Sequence, residues 1–177
     1  MTRYQTRRDK LRRQLKRQAM DSILVTNFTN VTYLTGFTGD DSYLLITPTD
    51  AVMISDSRYT QQLEEECPGL DVVTRTSAVP MMASLAKLAK KTALQNLAVE
   101  SQSMSLALFD QVDATLAGTS LLRSSGLVEG LREIKDADEV QQIRAAIQLA
   151  ERTFAVVRAS LRPERTEKEV AYEIENQ

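Results

Sequence analysis

Short apolar runs alternate with segments of helical periodicity along the first 124 residues, and this alternation constrains the fold more than any other feature of the chain. Runs of four or five apolar residues have the length of strands, and the segments between them repeat apolar residues at intervals of three and four. The predicted strands are Ser22–Thr26, Tyr43–Ile46, Ala51–Ile54, Leu70–Thr74, Asn96–Glu100 and Thr119–Arg123. This order predicts an α/β domain with a mixed β-sheet flanked by helices.

Turn and capping residues set the predicted boundaries between these elements. The tetrapeptide Thr47–Asp50 separates two apolar runs and predicts a β-hairpin. Asp56 is expected to cap the helix that follows it, and Asn27–Gly39 has the composition of a loop with one helical turn. The predicted helices cover residues 4–20, Ser57–Glu66, a segment that starts at Pro80, and Ser105–Leu116.

Residues 131–177 have a different pattern, which predicts a linker, a long helix from about 137 to 161 and the start of another helix. Asp136 and Glu139 have the spacing of a capping box, and Thr166 and Glu169 repeat it. Apolar residues of the long helix recur at intervals of three and four, as in a coiled-coil seam. They are Val140, Ile143, Ile147, Ala150, Phe154, Val157 and Leu161. We expect residues 1–130 to form the α/β domain and residues 131–177 to begin a second domain.

Charge and composition exclude several classes of protein. The net charge of −2 argues against a dedicated nucleic-acid binder, although residues 1–20 carry eight basic side chains against Asp9 alone. We interpret that run as the solvated face of a helix, and a phosphate or nucleic-acid site there is the alternative. No apolar stretch has the length of a membrane span. Cys67 is the only cysteine, so an intrachain disulfide is impossible and a cytoplasmic location is expected.

The residues themselves identify no catalytic residue and no metal ligand. The chain contains no histidine, which removes the commonest general base and the imidazole ligands of zinc sites. Gly-x-Ser-x-Gly and the glycine-rich phosphate-binding patterns are also absent. Asp56 and Glu100 fall at strand ends and are candidates for a two-metal site only if they converge. Acidic residues at strand ends are more often helix caps or loop groups.

Three stretches in this order and spacing resemble the Xaa-Pro aminopeptidase, prolidase and creatinase family. They are Asn30-Val-Thr-Tyr-Leu-Thr-Gly-Phe-Thr-Gly39, Ile54-Ser-Asp-Ser-Arg-Tyr-Thr60 and Leu131-Arg-Glu-Ile-Lys-Asp-Ala-Asp-Glu-Val-Gln-Gln-Ile-Arg144. The resemblance covers nearly the whole chain. It implies an N-terminal domain with a ribonuclease-H-like arrangement, followed by helices that begin a pita-bread catalytic domain.

The resemblance also implies where the chemistry lies. In this family the pita-bread domain carries two divalent metal ions, usually manganese, cobalt or zinc, on two Asp, one His and two Glu. All five ligands lie beyond the segment that matches Thr166–Gln177, so the chain is expected to be truncated before the metal site. The parent protein would hydrolyse the peptide bond that precedes proline by metal-activated water. This chain alone is expected to be inactive and to hold no cofactor.

The front domain of the family supports dimerisation, and its loops approach the active site of the partner subunit. The loop after Phe37 is the expected element, which makes Thr38, Asp40 and Asp41 candidate substrate-binding residues that act in trans. Acidic groups there would meet the amino group or a basic side chain of a peptide. Arg58 is expected to form a structural salt bridge. The expected partners are a second copy of the chain, the catalytic domain of the parent and its peptide substrate.

Two alternatives remain open at this point. The chain could be a stand-alone interaction module, in which the apolar stripe of residues 140–161 is a dimerisation seam. The parent could also be a creatinase-like amidinohydrolase, since peptidases and creatinases share this front domain. The sequence does not decide between these readings.

Overall fold

The computed structural model describes residues 2–176 and divides them into two compact units, residues 2–133 and residues 134–176. The first unit is a mixed β-sheet flanked by helices, which confirms the predicted fold class. The second unit is helical. The expected domain border at residue 130 stays a prediction.

The strands of the first unit form one sheet, with the predicted hairpin next to its centre. The strands are β1 (Ser22–Val25), β2 (Ser42–Ile46), β3 (Ala51–Asp56), β4 (Asp71–Arg75), β5 (Asn96–Glu100) and β6 (Ser120–Ser124). Across residues 2–176 the sheet has six strands in the order β4-β3-β2-β1-β5-β6. Strand β2 is antiparallel to both of its neighbours, and the other pairs are parallel. The carboxyl ends of β1, β3, β4, β5 and β6 therefore lie at the same end of the sheet.

The helices follow the predicted pattern with three differences, the first being that Ser57–Tyr59, predicted as the start of an α-helix, forms a 3₁₀ helix. They are α1 (Arg3–Arg17), α2 (Phe28–Thr35), α3 (Thr60–Glu66), α4 (Met81–Thr92), α5 (Leu106–Thr115), α6 (Leu127–Glu133), α7 (Ala137–Ser160) and α8 (Glu167–Glu175). The segment predicted as a loop with one turn is the two-turn helix α2, and the start of the predicted linker belongs to α6. None of the helices within residues 2–176 is both long and apolar enough to cross a lipid bilayer.

Local capping explains why α2 is a complete helix. The Oδ1 atom of Asn27 accepts the backbone N–H of Asn30 at 3.3 Å, which satisfies a donor of the first turn. Gly36 ends the helix with a φ of 89°, a left-handed conformation that a residue without Cβ adopts at little cost. Asn27 and Gly36 thus cap the helix, and both residue types are also common in loops, which explains the prediction of a loop.

Both faces of the sheet are covered, because side chains of successive strand residues point to opposite sides. On one face Ile23, Leu44 and Met53 pack with residues of α1, α2, α3 and α6. On the other face Leu24 and Leu45 pack with residues of α4 and α5. The four residues of β1 are buried, and they form the centre of a helix–sheet–helix arrangement.

Arginines of α1 bind backbone carbonyls elsewhere in the first unit. Arg7 donates to the carbonyl oxygen of Tyr33 at 2.9 Å, and Arg8 donates to that of Leu34 at 2.8 Å. These carbonyls belong to the last turn of α2, which lacks partners within its own helix. Arg12 donates to the carbonyl oxygens of Thr47 and Asp50 in the β2–β3 turn. Three arginines of the basic run therefore fix α1 to α2 and to the β2–β3 turn.

The second unit is a hairpin of α7 and α8. The predicted capping boxes at Asp136 and Thr166 are confirmed. Glu173 accepts the hydroxyl of Ser160 at 2.8 Å and pairs with Arg165, which joins the two helices. Along α7 the apolar stripe is largely exposed, and Phe154 has 65% of its surface accessible. The predicted end of α8 at Gln177 lies outside the described residues.

The contacts of α1 predict different effects for two arginines of the same helix. The substitution Arg8→Met removes the donor to Leu34 and leaves a buried carbonyl without its partner, so we expect a loss of about 1–3 kcal/mol in the free energy of unfolding. Urea denaturation at neutral pH measures this loss. Arg13→Met is the matched control, because Arg13 is exposed on α1, and its effect is expected within about 0.5 kcal/mol of zero. Equal effects of the two substitutions would contradict the capping role.

Candidate functional site

The predicted substrate-binding residues Thr38, Asp40 and Asp41 lie together in the loop between α2 and β2. We call residues 37–41 the acidic loop. It lies at the end of the sheet where β3 and β4 finish, because β2 begins beside the last residues of its antiparallel neighbour β3. All three side chains belong to exposed residues, whereas Phe37 is fully buried and anchors the start of the loop.

Thr38 is held by the end of α3. Its backbone N–H donates to Oε2 of Glu66 at 2.7 Å, and its hydroxyl donates to Oε1 of the same carboxylate at 2.7 Å. Gln62 donates to the Thr38 hydroxyl at 2.9 Å and to Glu66 at 3.0 Å. These bonds use both oxygens of Glu66 and fix the first half of the acidic loop.

Asp40 is held by Tyr59, whose hydroxyl donates to its carboxylate. Hydrogen bonding to Asp40, together with burial, raises the pKa of Tyr59 above its ordinary value. The rings of Phe37 and Tyr59 pack edge to face with centroids 5.5 Å apart. Gly39 lies against both rings, where an added Cβ would approach Cζ of Phe37 at 2.5 Å. The loop can pass this closely only with glycine at that position.

Asp41 belongs to a ring of alternating charges with Arg75, Asp56 and Arg58. Its carboxylate pairs with Arg75 and lies 3.6 Å from a terminal nitrogen of Arg58. Asp56 accepts Nε of Arg58 at 2.9 Å and lies 3.4 Å from Arg75. The expected salt bridge of Arg58 is thereby confirmed. Asp41 has a φ of 52°, a left-handed conformation that aspartate tolerates better than most residues.

Electrostatics in the ring favour the charged form of Asp56. The backbone N–H of Arg58 and then its guanidinium hydrogen-bond to the carboxylate, and they lower the pKa of Asp56 below its ordinary value. The ring contains two carboxylates and two guanidinium groups, so its formal charge is zero. The side chain of Arg58 is 72% exposed and is the cation of the ring that is most open to solvent.

These contacts define what the acidic loop can do. Its carboxylates already accept bonds from Tyr59 or from arginines, so a ligand amine would join an existing network and would not meet isolated acids. The loop is tied to α3 and to the ends of β3 and β4, which favours a fixed shape. A loop that is anchored in this way, with its carboxylates already paired, is suited to positioning a ligand.

Asp56 and Glu100 do not converge, so the two-metal site that they would need is ruled out. Strands β2 and β1 lie between β3 and β5, which places the two strand ends three spacings, or roughly 14 Å, apart. Side-chain alternation also turns the two residues to opposite faces of the sheet. Within residues 2–176 no three His, Cys, Asp or Glu side chains come close enough to hold a metal ion.

Glu100 instead joins β5 to α2 and α6. One of its oxygens accepts the backbone N–H groups of Thr26 and Asn27, and the other accepts Nδ2 of Asn30 at 2.7 Å. Asn30 is fully buried, donates also to Glu129 at 2.6 Å and accepts from Arg132. Burial raises the pKa of Glu100 above its ordinary value. This junction is structural, because every group in it has a partner from the fold.

Two further features singled out by the sequence have structural explanations. Cys67 is buried, and burial raises the pKa of its thiol, which disfavours the nucleophilic thiolate. The basic run splits into arginines that bind carbonyls and a set that is exposed on the outer side of α1. The exposed set is Lys10, Arg13, Lys16 and Arg17.

Several partners of the acidic loop have no signal in the sequence. Arg75 comes from a strand whose end only the sheet topology brings beside Asp41. Glu66 is one of three consecutive glutamates at the end of α3, and nothing in the run distinguishes it from Glu64 or Glu65. Tyr59 differs from these two residues, because it lies in Ile54–Thr60, one of the stretches that carry the family resemblance. That stretch is the one sequence signal that links Tyr59 to the loop.

Comparison with known proteins gives the same architecture. The model of the family described as "Creatinase/Prolidase N-terminal domain" matches residues 7–134. A curated relative, the uncharacterised peptidase YqhT of Bacillus subtilis (strain 168), is 28% identical over 167 residues, which cover 94% of this chain and 47% of that protein. The chain thus spans about half the length of this relative.

Solved structures fall into two groups by length. The Xaa-Pro dipeptidase from Bacillus anthracis has a TM-score of 0.88 at 28% identity, covering 97% of this chain and 47% of that one. The N-terminal domain of the cytoplasmic peptidase PepQ from Mycobacterium tuberculosis H37Rv has a TM-score of 0.65 at 35% identity, covering 71% of this chain and 98% of that one. This chain therefore matches a whole N-terminal domain and additionally the residues that follow it in longer relatives.

The charge ring predicts a pH-dependent effect for Asp56→Asn. A lowered pKa in the folded state means that Asp56 stabilises the fold above the pKa of an unfolded aspartate, and that this contribution is lost as the pH falls through the folded-state pKa. We expect the melting temperature of the variant to lie below that of the wild type at neutral pH, with the difference shrinking toward pH of about 2. Asp110→Asn, at an exposed position of α5, is the control. A difference that stays constant with pH would contradict the role of the carboxylate charge.

Proposed function

The chain belongs to the Creatinase/Prolidase N-terminal domain family, and from this premise we propose that it is the non-catalytic front domain of an Xaa-Pro dipeptidase or aminopeptidase. The observation that carries the proposal is the coverage: nearly the whole chain matches, while it spans 47% of the Xaa-Pro dipeptidase from Bacillus anthracis. The proposed work of the domain is dimerisation and control of substrate access. The proposed location is the cytoplasm, in keeping with the cytoplasmic relative from Mycobacterium tuberculosis.

We assign the reaction itself to a catalytic domain outside this chain. The parent would hydrolyse the peptide bond before proline at two divalent metal ions, manganese, cobalt or zinc. The described residues do not fit such a pair of ions: Asp41 and Asp56 are paired with arginines, and Glu100 is surrounded by N–H donors. No step of the reaction is therefore assigned to residues of this chain.

The acidic loop is the proposed point of contact with substrate. In the proposed dimer the loop of one subunit approaches the active site of the other, and Asp40 and Asp41 attract the amino group of the peptide. The support is geometric, because Thr38, Asp40 and Asp41 lie on one exposed loop that hydrogen bonds and an ion pair anchor to the fold. Arg58, at the same end of the sheet, adds an exposed cation that can bind a carboxylate of the peptide.

The apolar surface of α7 helps to choose between the proposal and the alternative of a stand-alone dimerisation module. Besides the stripe that contains Phe154, residues Leu149 and Val156 are about half exposed on another side of the helix. A helix with apolar residues on several sides is typical of a buried position in a larger domain. This favours a catalytic domain as the cover of α7 over a stand-alone dimerisation seam. A creatinase-like parent remains the second candidate for the reaction.

The proposal predicts that the 177-residue chain does not hydrolyse Xaa-Pro dipeptides. Purified chain with manganese, cobalt or zinc is expected to release no proline above the background, because the ligands of the metal pair are absent. A full-length Xaa-Pro dipeptidase assayed in parallel is the positive control. Metal-dependent release of proline by the chain, removed by a chelator, would refute the proposed division of labour.

A second prediction concerns the acidic loop in the parent protein. Asp40→Asn keeps an oxygen that can accept the Tyr59 hydroxyl but removes the charge. We expect KM for Xaa-Pro substrates to rise several-fold with kcat nearly unchanged, because the amino group is bound alike in the ground state and the transition state. Asp110→Asn, remote on α5, should change neither constant. An unchanged KM in Asp40→Asn would remove the loop from the substrate site.

A further inference from the structure

Strand β4 forms an edge of the sheet with a groove beside it. Across residues 2–176 it pairs with β3 on one side and has no strand on the other. We call the groove of about 520 Å³ at this edge the β4 groove; it is lined by residues 71–76 and Val79, and by Ser84, Lys87, Leu88 and Lys91 of α4. The free N–H and carbonyl groups of an edge strand can pair with another extended segment, and the groove leaves room for its side chains.

Part of the lining of the β4 groove is apolar. Leu88 is buried and Val79 is partly buried, whereas Val73, at the centre of β4, has 36% of its surface exposed. Val73 pairs with Ile54, which packs with residues of α4 and α5, so the Val73 side chain lies on the α4 side of the sheet. An occupant of the groove would therefore cover an apolar side chain as well as the free backbone groups.

The charges that line the β4 groove favour an acidic occupant. Lys87 and Lys91 are exposed on α4, and neither forms an ion pair with another described residue. Asp71 is the one carboxylate among the lining residues, and Arg75 is already paired within the charge ring. Two free ammonium groups against one carboxylate leave the lining with a net positive charge, which attracts carboxylates.

The two lysines also have the spacing of an extended chain. Lys87 and Lys91 lie one turn apart on the same side of α4, separated by about 6 Å along its axis. Helix α4 returns from the carboxyl end of β4 to the amino end of β5, so it runs roughly along the strands. Alternate residues of a strand point to the same face about 6.6 Å apart. Carboxylates at alternate positions of an added strand can therefore meet both lysines.

A second copy of β4 fits this edge less well than an acidic segment does. Antiparallel pairing of two identical strands is two-fold symmetric, so α4 of both copies would lie on the same face of the extended sheet. Lys87 and Lys91 of both copies would then flank one groove, and its excess of positive charge would double. An acidic segment neutralises the same charge.

We propose that the β4 groove binds an extended acidic segment of a partner protein, which adds to β4 as a strand and places carboxylates of alternate residues at Lys87 and Lys91. In this mode of recognition main-chain hydrogen bonds supply affinity, and alternate side chains supply specificity. The contact uses neither the acidic loop nor a metal ion, so it is independent of the proposed peptidase parent.

Fluorescence anisotropy with labelled peptides tests the charge pattern. The peptide Glu-Val-Glu-Val-Glu-Val is expected to bind the 177-residue chain saturably, and Lys-Val-Lys-Val-Lys-Val at least about tenfold more weakly. Glu-Glu-Glu-Val-Val-Val has the same composition as the first peptide without its alternation, and it is expected to bind more weakly than the first. Equal affinities of the alternating acidic and basic peptides, or no saturable binding of the acidic one, would overturn the proposal.

Two substitutions on α4 separate the groove from general attraction of charge. Lys87→Glu is expected to weaken binding of the alternating acidic peptide about fivefold or more, because it replaces an attraction by a repulsion. Lys90→Glu makes the same change of charge at an exposed position of α4 that does not line the groove, and it should leave the affinity unchanged. Equal melting temperatures of the two variants verify that the fold is intact. An equal loss of affinity in both would remove the groove from the contact.

Methylation of the peptide backbone tests the addition of a strand without changing the protein. Replacing the amide N–H groups of the alternating acidic peptide by N-methyl groups removes its donors and keeps its charges. We expect binding at least about tenfold weaker. Undiminished binding would exclude strand addition. An apparent affinity for the unmethylated peptide that falls as the concentration of the chain rises would assign the edge to a second copy and overturn the proposal.

Discussion

The first unit depends on the burial of its central strands from both sides. Strand β1 has no exposed residue, and it lies between the antiparallel β2 and the parallel β5. A strand covered on both faces needs a layer of helices on each side, and α1, α2, α3 and α6 supply one layer while α4 and α5 supply the other. The acidic loop lies where this arrangement ends, beside the carboxyl ends of β3 and β4.

At this end of the sheet, polar networks and not apolar contacts join the elements. The Glu100–Asn30 junction connects β5 with α2 and α6, and the Asp41–Arg75–Asp56–Arg58 ring connects the acidic loop with β3 and β4. Both are networks in which charged groups have several partners, and such networks specify one arrangement of the backbone. They differ in their chemistry, because burial dominates at Glu100 and hydrogen bonds dominate at Asp56, so the pKa values of the two carboxyls shift in opposite directions.

Anchoring of the acidic loop is the property that connects the fold with the proposed role. A loop that guides a substrate in a partner subunit has to keep its shape without support from that subunit. The acidic loop obtains this support from Glu66, Tyr59 and Arg75, which come from three separate elements.

The sequence by itself determined the element types, the hairpin, the capping boxes and the family, because each depends on residues close together in the chain. Periodicity predicted the strands and most helices, whereas α2 was missed because its capping residues resemble those of a loop. Only the tertiary structure decided that Asp56 and Glu100 stay apart, and that Arg75 reaches Asp41 over 34 residues. The order of strands in the sheet decides which strand ends are neighbours, and that order depends on packing between distant segments that no local pattern encodes.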